Sequence, residues 1–231
     1  MEREIILDTE TTGLDPKQGH RLVEIGCVEL FNRVPTGKTF HTYLNPERDV
    51  PYDAERIHGI KTEFLQDKPK FSEIVDDFLK FVGNSKLVIH NADFDMKFIN
   101  AELFYVKKSE IPKERVFCTL IYSRQKFPGA QNSLDALCRR FNVDNNHRDK
   151  HGALLDADLL AKVYLELMGG KQNAFELSEK REEKKQEQKI VELTDYKADF
   201  PFRTYPISEE EIISHKKLVE KIPNSLWNKY S

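Results

Sequence analysis

Apolar residues recur along this chain in two rhythms, and the change of rhythm marks the elements. Glu4-Ile5-Ile6-Leu7-Asp8 is a short apolar run closed by an acid, which predicts a buried strand. Leu22 to Leu30 alternates loosely before Pro35-Thr36-Gly37, a turn signal, and alternation resumes from Thr39 to Leu44. The opening therefore predicts an antiparallel meander. Further on, Ser72 is placed to cap a helix whose apolar positions are Val75, Phe78, Leu79 and Val82. Lys86-Leu87-Val88-Ile89-His90 predicts another buried strand, followed by a helix from about Asp93 with Phe94, Phe98 and Ala101 on one side. Ser133 caps a further helix carrying Leu134, Leu137, Cys138 and Phe141, and Asn142 to Lys150 is polar and loop-like. A last core helix spans about Gly152 to Met168, where Gly169-Gly170 ends it. Strands first, then strands alternating with helices, predict an α/β fold: a mixed β-sheet flanked by helices.

Beyond Gly170 the pattern breaks down. Glu179 to Lys189 is almost wholly charged residues and Gln, with few apolar residues to bury, and predicts a solvated helix or a flexible linker. After it come Phe200, Phe202, Tyr205 and Pro206, then Ser208-Glu209-Glu210-Glu211, a capping box opening a short helix. Ile212, Ile213, Leu218, Val219 and Ile222 follow, leading to Leu226 and the single tryptophan, Trp227. A charged tether ending in an apolar, aromatic cluster predicts either a docking peptide or a segment that folds back on the core.

Composition narrows the classes. At 231 residues the chain holds one domain with a sizeable core plus an appendage. A net charge of -3 provides no global basic field, which argues against a protein that coats or scans duplex DNA. A nuclease remains compatible, because divalent cations offset the repulsion between an acidic pocket and phosphate. Cys27, Cys118 and Cys138 have no CxxC spacing and sit among apolar neighbours, so buried free thiols are expected. No leader-like or membrane-spanning run is visible, and the expected setting is soluble, reducing and cytoplasmic, with no membrane partner.

The candidate chemistry lies in acids at apolar places. Asp8 and Glu10 stand two apart at the end of the first strand, so both side chains leave one face of extended backbone. Hard oxygen ligands with room for water suit Mg²⁺ or Mn²⁺, although an isolated D-x-E pair equally fits a surface turn. Asp93 and Asp95 open a helix, where simple dipole compensation also accounts for acids. Asp156 lies among Leu154, Leu155, Leu159 and Leu160, where an acid is expensive without a partner; Asp158 is expected to face solvent. His151 precedes that helix, as a cap, a surface residue or a catalyst.

Together these residues resemble a known family. Asp8-x-Glu10-Thr11, Asn91-x-x-Phe94-Asp95 and His151-x-Ala153-x-x-Asp156 are similar to the three motifs of the DEDDh exonucleases, which have a ribonuclease H-like fold. Glu24-Ile25-Gly26, His58-Gly59-Ile60, Val88-Ile89-His90-Asn91-Ala92 and Asn132-Ser133-Leu134-Asp135-Ala136-Leu137-Cys138 further resemble the epsilon-subunit branch of bacterial DNA polymerase III. The resemblance covers about residues 4–168 and extends loosely into the tail. It implies a proofreading 3′→5′ exonuclease that hydrolyses the terminal phosphodiester of a single-stranded or frayed DNA 3′ end and releases nucleoside 5′-monophosphates. It implies two divalent metal ions, Mg²⁺ or Mn²⁺, held by Asp8, Glu10 and Asp156, with Asp95 completing the set directly or through water.

By the same resemblance His151 is the general base, since an unperturbed imidazole titrating near ~6.5 is largely neutral at cellular pH. Asp53, or neighbouring Glu55 in its stead, and His58 match positions that contact the terminal nucleotide, beside Asp8, Glu10 and Asp156. Thr9, Thr11 and Thr12 offer donors near it, and His90 and Asn91 shape the strand-to-helix turn. Three parts are expected: the exonuclease domain (1–170), a charged linker (171–206) and a polymerase-docking segment (207–231). Within the linker, Gln172 to Leu177 loosely resembles a sliding-clamp peptide and departs from it in the last apolar positions. Two alternatives stay open: the same chemistry on RNA 3′ ends, and a non-catalytic module that only stabilises a polymerase. The intact acidic set speaks against the second.

Overall fold

The structure is a computed structural model and describes residues 2–145, 150–169 and 207–221. The chain divides into two units, one up to Leu177 and one from Ser178 onward. In the first, five strands lie in the order β3-β2-β1-β4-β5. They are β1 (Arg3–Thr11), β2 (Leu22–Phe31), β3 (Val34–Tyr43), β4 (Lys86–Ile89) and β5 (Val116–Cys118). The first three form an antiparallel meander, and β1, β4 and β5 run parallel. This is the mixed sheet that the pattern predicts.

Both faces of the sheet are covered, which is why its central strands read as continuous apolar runs. Ile5 and Leu7 of β1 point into a core shared with α3 (Phe71–Val82) and α4 (Ala92–Tyr105). Ile6, one residue out of phase, points the other way, into a core with α6 (Leu134–Phe141) and α7 (Ala153–Leu167). A small third core gathers Val23, Val50, Ala54, Ile60 and Leu65 beneath α1 (Tyr52–His58) and α2 (Thr62–Leu65).

Several elements depart from expectation. The turn between β2 and β3 is not at Pro35-Thr36-Gly37 but at Asn32-Arg33, both left-handed at φ 49° and 63°. Positive φ at both central residues is what a tight two-residue hairpin requires. Pro35 instead lies in β3, an edge strand that tolerates a missing donor, and Gly37, at φ 81°, sits where the register with β2 shifts. Helix α3 starts before Ser72, and its capping contact is Glu73 Oε2 accepting the Lys70 N–H at 3.0 Å. Ser133 does cap α6, accepting the Ala136 N–H at 3.2 Å.

The short α1, α2 and β5, and the eight-residue α5 (Thr119–Lys126), have too few periodic positions to stand out in sequence. None of the three cysteines forms a disulfide among the described residues; Cys27 and Cys138 are buried and Cys118 is half-buried.

In the second unit, a helix spans Glu209–Glu220. Ser208 Oγ accepts the Glu211 N–H at 3.3 Å, and Glu211 Oε2 accepts the Ser208 N–H at 2.9 Å, the expected capping box. Gln172 to Leu177, the charged run 179–189 and the Leu226-Trp227 cluster lie outside the described residues. Among the described residues no helix is long and apolar enough to cross a membrane.

Candidate active site

Strand β1 outruns its parallel neighbour: β4 pairs with it only from Glu4 to Ile6. Its last residues, Asp8 to Thr11, therefore pass beyond the carboxyl end of β4, the region where open α/β sheets carry their sites. The first turn of α4 meets them there. Asn91, left-handed at φ 64°, turns the chain from β4 into α4, and His90 Nδ1 lies 3.0 Å from Thr119 Oγ1. This is the shaping role expected of that pair. Asp95 follows one turn on, and Thr9 Oγ1 donates to its Oδ1 at 2.7 Å. Asp95 is only 3% exposed. Burial pushes its carboxyl up to about 7, against the opposing Thr9 hydroxyl and backbone. A buried carboxyl in that condition takes up either a proton or a cation.

On the other face of β1, Asp8 and Glu10 share the side of Ile6, against which α7 packs. Across the ladder, Asp8 faces Gly26 and Glu10 faces Glu24. A Cβ on Gly26 would stand 2.3 Å from Ala153 C and Leu154 N, so the absent side chain is what lets the start of α7 lie on β2. Glu24, 3% exposed, accepts the Ala153 N–H at 3.1 Å through Oε2, and His41 Nε2 lies 2.7 Å from its Oε1. The sequence marks Glu24 and Gly26 only as part of a resemblance. The signal was an acid inside an apolar strand, which needs a partner.

Seated this way, α7 presents Asp156 from its first turn, 2% exposed. His151 precedes the helix, its backbone N–H donating to Ile57 O at 3.3 Å, and its Nδ1 lies 3.2 Å from Asp156 Oδ2. Ligand atoms of Glu10, His151 and Asp156 all lie within 4.8 Å of one another, with Glu10 itself 9% exposed. Three of the five central candidates thus meet directly. Asp8 lies on the same strand face, and Asp95 is tied to Thr9, the residue between Asp8 and Glu10.

The end of α1 borders the cluster. His58 is 6% exposed; its Nδ1 accepts the Ile60 N–H at 3.0 Å, which puts the proton of a neutral ring on Nε2. That Nε2 is fully buried, on the side of the Thr11 backbone. Burial lowers the imidazole pKa; the Thr11 backbone opposes this, and His151 and Lys150 lower it further. Asp53 is exposed in the first turn of the same helix, and no hydrogen bond or ion pair among the described residues ties it to the cluster. Thr9 and Thr11 donate their hydroxyls within the protein, Thr11 to Gly13 O at 2.6 Å, while Thr12 Oγ1 accepts the Arg21 N–H at 3.0 Å. Asp158 faces outward and pairs with Lys162 at 2.7 Å.

A family model described as Exonuclease matches residues 5–164. The chain is 60% identical over 181 residues to the DNA polymerase III subunit epsilon of Rickettsia felis, covering 77% of this chain and 79% of that one. It is 43% identical over 238 residues to the subunit of the same name from Escherichia coli, covering 97% of each. Among solved structures it resembles exonuclease X in complex with 5′ overhanging duplex DNA, at a TM-score of 0.58 and 26% identity over 71% of this chain and 90% of that one. It also shares the fold of a DEDDh nuclease domain bound to rAMP, at a TM-score of 0.60 and 18% identity over 72% of this chain and 92% of that one.

Proposed function

The chain belongs to the exonuclease family, among the epsilon subunits of DNA polymerase III, and we propose that Asp8, Glu10, Asp95, His151 and Asp156 form its hydrolytic site. It is a proofreading 3′→5′ exonuclease and a metal-dependent nuclease. The meeting of Glu10, Asp156 and His151 within 4.8 Å is the observation that carries the site assignment.

The donor set fits divalent cations. Carboxylate oxygens are hard ligands suited to Mg²⁺ or Mn²⁺, and the raised pKa of Asp95 marks a buried acid in want of positive charge. Two cations held by Asp8, Glu10 and Asp156, with Asp95 direct or through water, would lower the pKa of the attacking water and neutralise charge on the phosphate. With Nδ1 turned to Asp156, His151 carries its lone pair on Nε2 and is placed to take the proton of a water that would attack the terminal phosphodiester, the P–O3′ bond breaking so that the shortened strand leaves with a 3′-hydroxyl. The product is a nucleoside 5′-monophosphate. His58, at the end of α1 beside the cluster, is the proposed contact to the terminal nucleotide, with Asp53 on the same helix as a further contact.

The substrate is a DNA 3′ end, single-stranded or frayed at a primer terminus. Residues 1–170 form the nuclease part, 171–206 a linker with a clamp-like peptide, and 207–231 the segment that docks on the polymerase subunit, in the cytoplasm. The names of the relatives support the polymerase partner.

The test is hydrolysis of a 5′-labelled single-stranded DNA oligonucleotide by the full chain, with and without Mg²⁺ or Mn²⁺, beside an RNA oligonucleotide of equal length. Ladders shortening from the 3′ end of DNA, cation-dependent and abolished in the Asp8→Ala/Glu10→Ala protein, are expected. Undiminished hydrolysis by that double variant would overturn the site assignment, and preference for RNA would overturn the substrate.

A further inference from the structure

The start of α7 has no cap of its own. Its N-cap residue, Gly152, is extended at φ -155° and ψ 127° and makes no side-chain cap hydrogen bond. A helix start leaves several N–H groups needing acceptors, and burial makes leaving them unmet costly. At this helix the acceptor comes from a different element: Glu24 of β2, 129 residues away in sequence, receives the Ala153 N–H. Its second oxygen is engaged too, by His41 of β3 at 2.7 Å. Both carboxylate oxygens are thus spent at a buried point, and the side chain has no latitude to swing.

This junction sits beside the chemistry. Glu24 is register-paired with Glu10, and Ala153 lies between His151 and Asp156. Close approach of the helix is possible only because Gly26, two residues along β2 on the same face, has no Cβ. We propose that Glu24 is a positioning residue for the reaction: from β2 it clamps the first N–H of α7 and so fixes His151 and Asp156 against Glu10. With its two oxygens engaged by Ala153 and His41, it acts through the helix it holds. The inference rests on the hydrolytic site proposed above.

The experiment compares Glu24→Gln and Glu24→Asp in the full chain, reading kcat, KM for a single-stranded DNA oligonucleotide, the Mg²⁺ concentration giving half-maximal rate, and the melting temperature. All rates are taken well below the lowest melting temperature. Gln keeps the length and an acceptor oxygen for Ala153, and retains most of the wild-type kcat. Asp is one methylene short and cannot hold Ala153 and His41 together. Its kcat falls roughly 10-fold or more, the scale on which removing an orienting partner acts, with a raised Mg²⁺ requirement and KM within about twofold.

Equal kcat and Mg²⁺ requirement in wild type and Glu24→Asp would overturn the proposal. So would a Gln variant as impaired as the Asp one, or a lowered melting temperature with unaltered kcat, the mark of a purely structural role. Cation-dependent hydrolysis by the wild-type chain is measured in the same series. Its absence would count against the hydrolytic site, whereas a null result in the variants alone counts only against Glu24.

Discussion

Replacing Gly26 with alanine tests how closely the site depends on the seating of α7. The new Cβ would lie 2.3 Å from Ala153 C and Leu154 N and 2.4 Å from Ala153 O. Ordinary separations between such atoms are about 3.5–4.0 Å, so the start of the helix or the strand must withdraw by roughly 1 Å. The atoms in the way are backbone, and no rotamer change relieves them. Withdrawal lengthens the 3.1 Å Ala153–Glu24 hydrogen bond and carries His151 and Asp156 away from Glu10. Overpacking of this kind costs on the order of 1–3 kcal/mol of stability, and a displacement of about 1 Å at reacting groups costs on the order of 100-fold in rate.

The assay is kcat on a 5′-labelled single-stranded oligonucleotide, with thermal melting of the same preparations. Gly37→Ala is the control. It places a side chain at φ 81° with nothing within 4 Å, so it carries a backbone penalty of about 1 kcal/mol and leaves kcat unaltered. A Gly26→Ala protein that melts below wild type yet hydrolyses at the wild-type rate would refute the reasoning.

Other expectations concern single contacts. For His58, a depressed imidazole pKa in the folded state means that the unfolded chain takes up its proton first as pH falls. Its stabilising contribution is present above the ordinary imidazole value near ~6.5 and is lost as pH drops from there through the folded value. The melting temperature of wild type should fall over that window, and His58→Gln should flatten the fall; identical pH profiles would contradict it. Ser133→Ala removes the cap of α6 and should lower unfolding stability by about 1 kcal/mol in urea titration, with kcat unchanged. Thr9→Val deletes the hydroxyl that holds Asp95 and should raise the Mg²⁺ requirement of hydrolysis; an unaltered requirement would show that Asp95 is positioned by other means.

The fold was legible where elements are long and buried. Ile5, Ile6 and Leu7 announce a strand covered on both faces, and Leu134, Leu137 and Cys138 announce a helix stripe. Pro35 and Gly37 are stronger turn punctuation than Asn32-Arg33, so the sequence pattern points past the true β2–β3 turn, yet an edge strand accommodates both. Of the site, the spacing of Asp8 and Glu10 reveals a shared strand face, whereas nothing local in the sequence joins that face to His151 and Asp156. That junction depends on a missing Cβ at Gly26 and a carboxylate at Glu24, long-range facts that only the packing of α7 on β2 expresses.

Calorimetric titration of Mn²⁺ into the metal-free full chain, without DNA, puts the shared cation site to the most direct test. Wild type should bind, Asp156→Asn should bind much more weakly, and Asp8→Ala/Glu10→Ala should show no binding at the same site. Equal Mn²⁺ affinity in all three proteins would mean that these acids do not share a cation, and the account would fail.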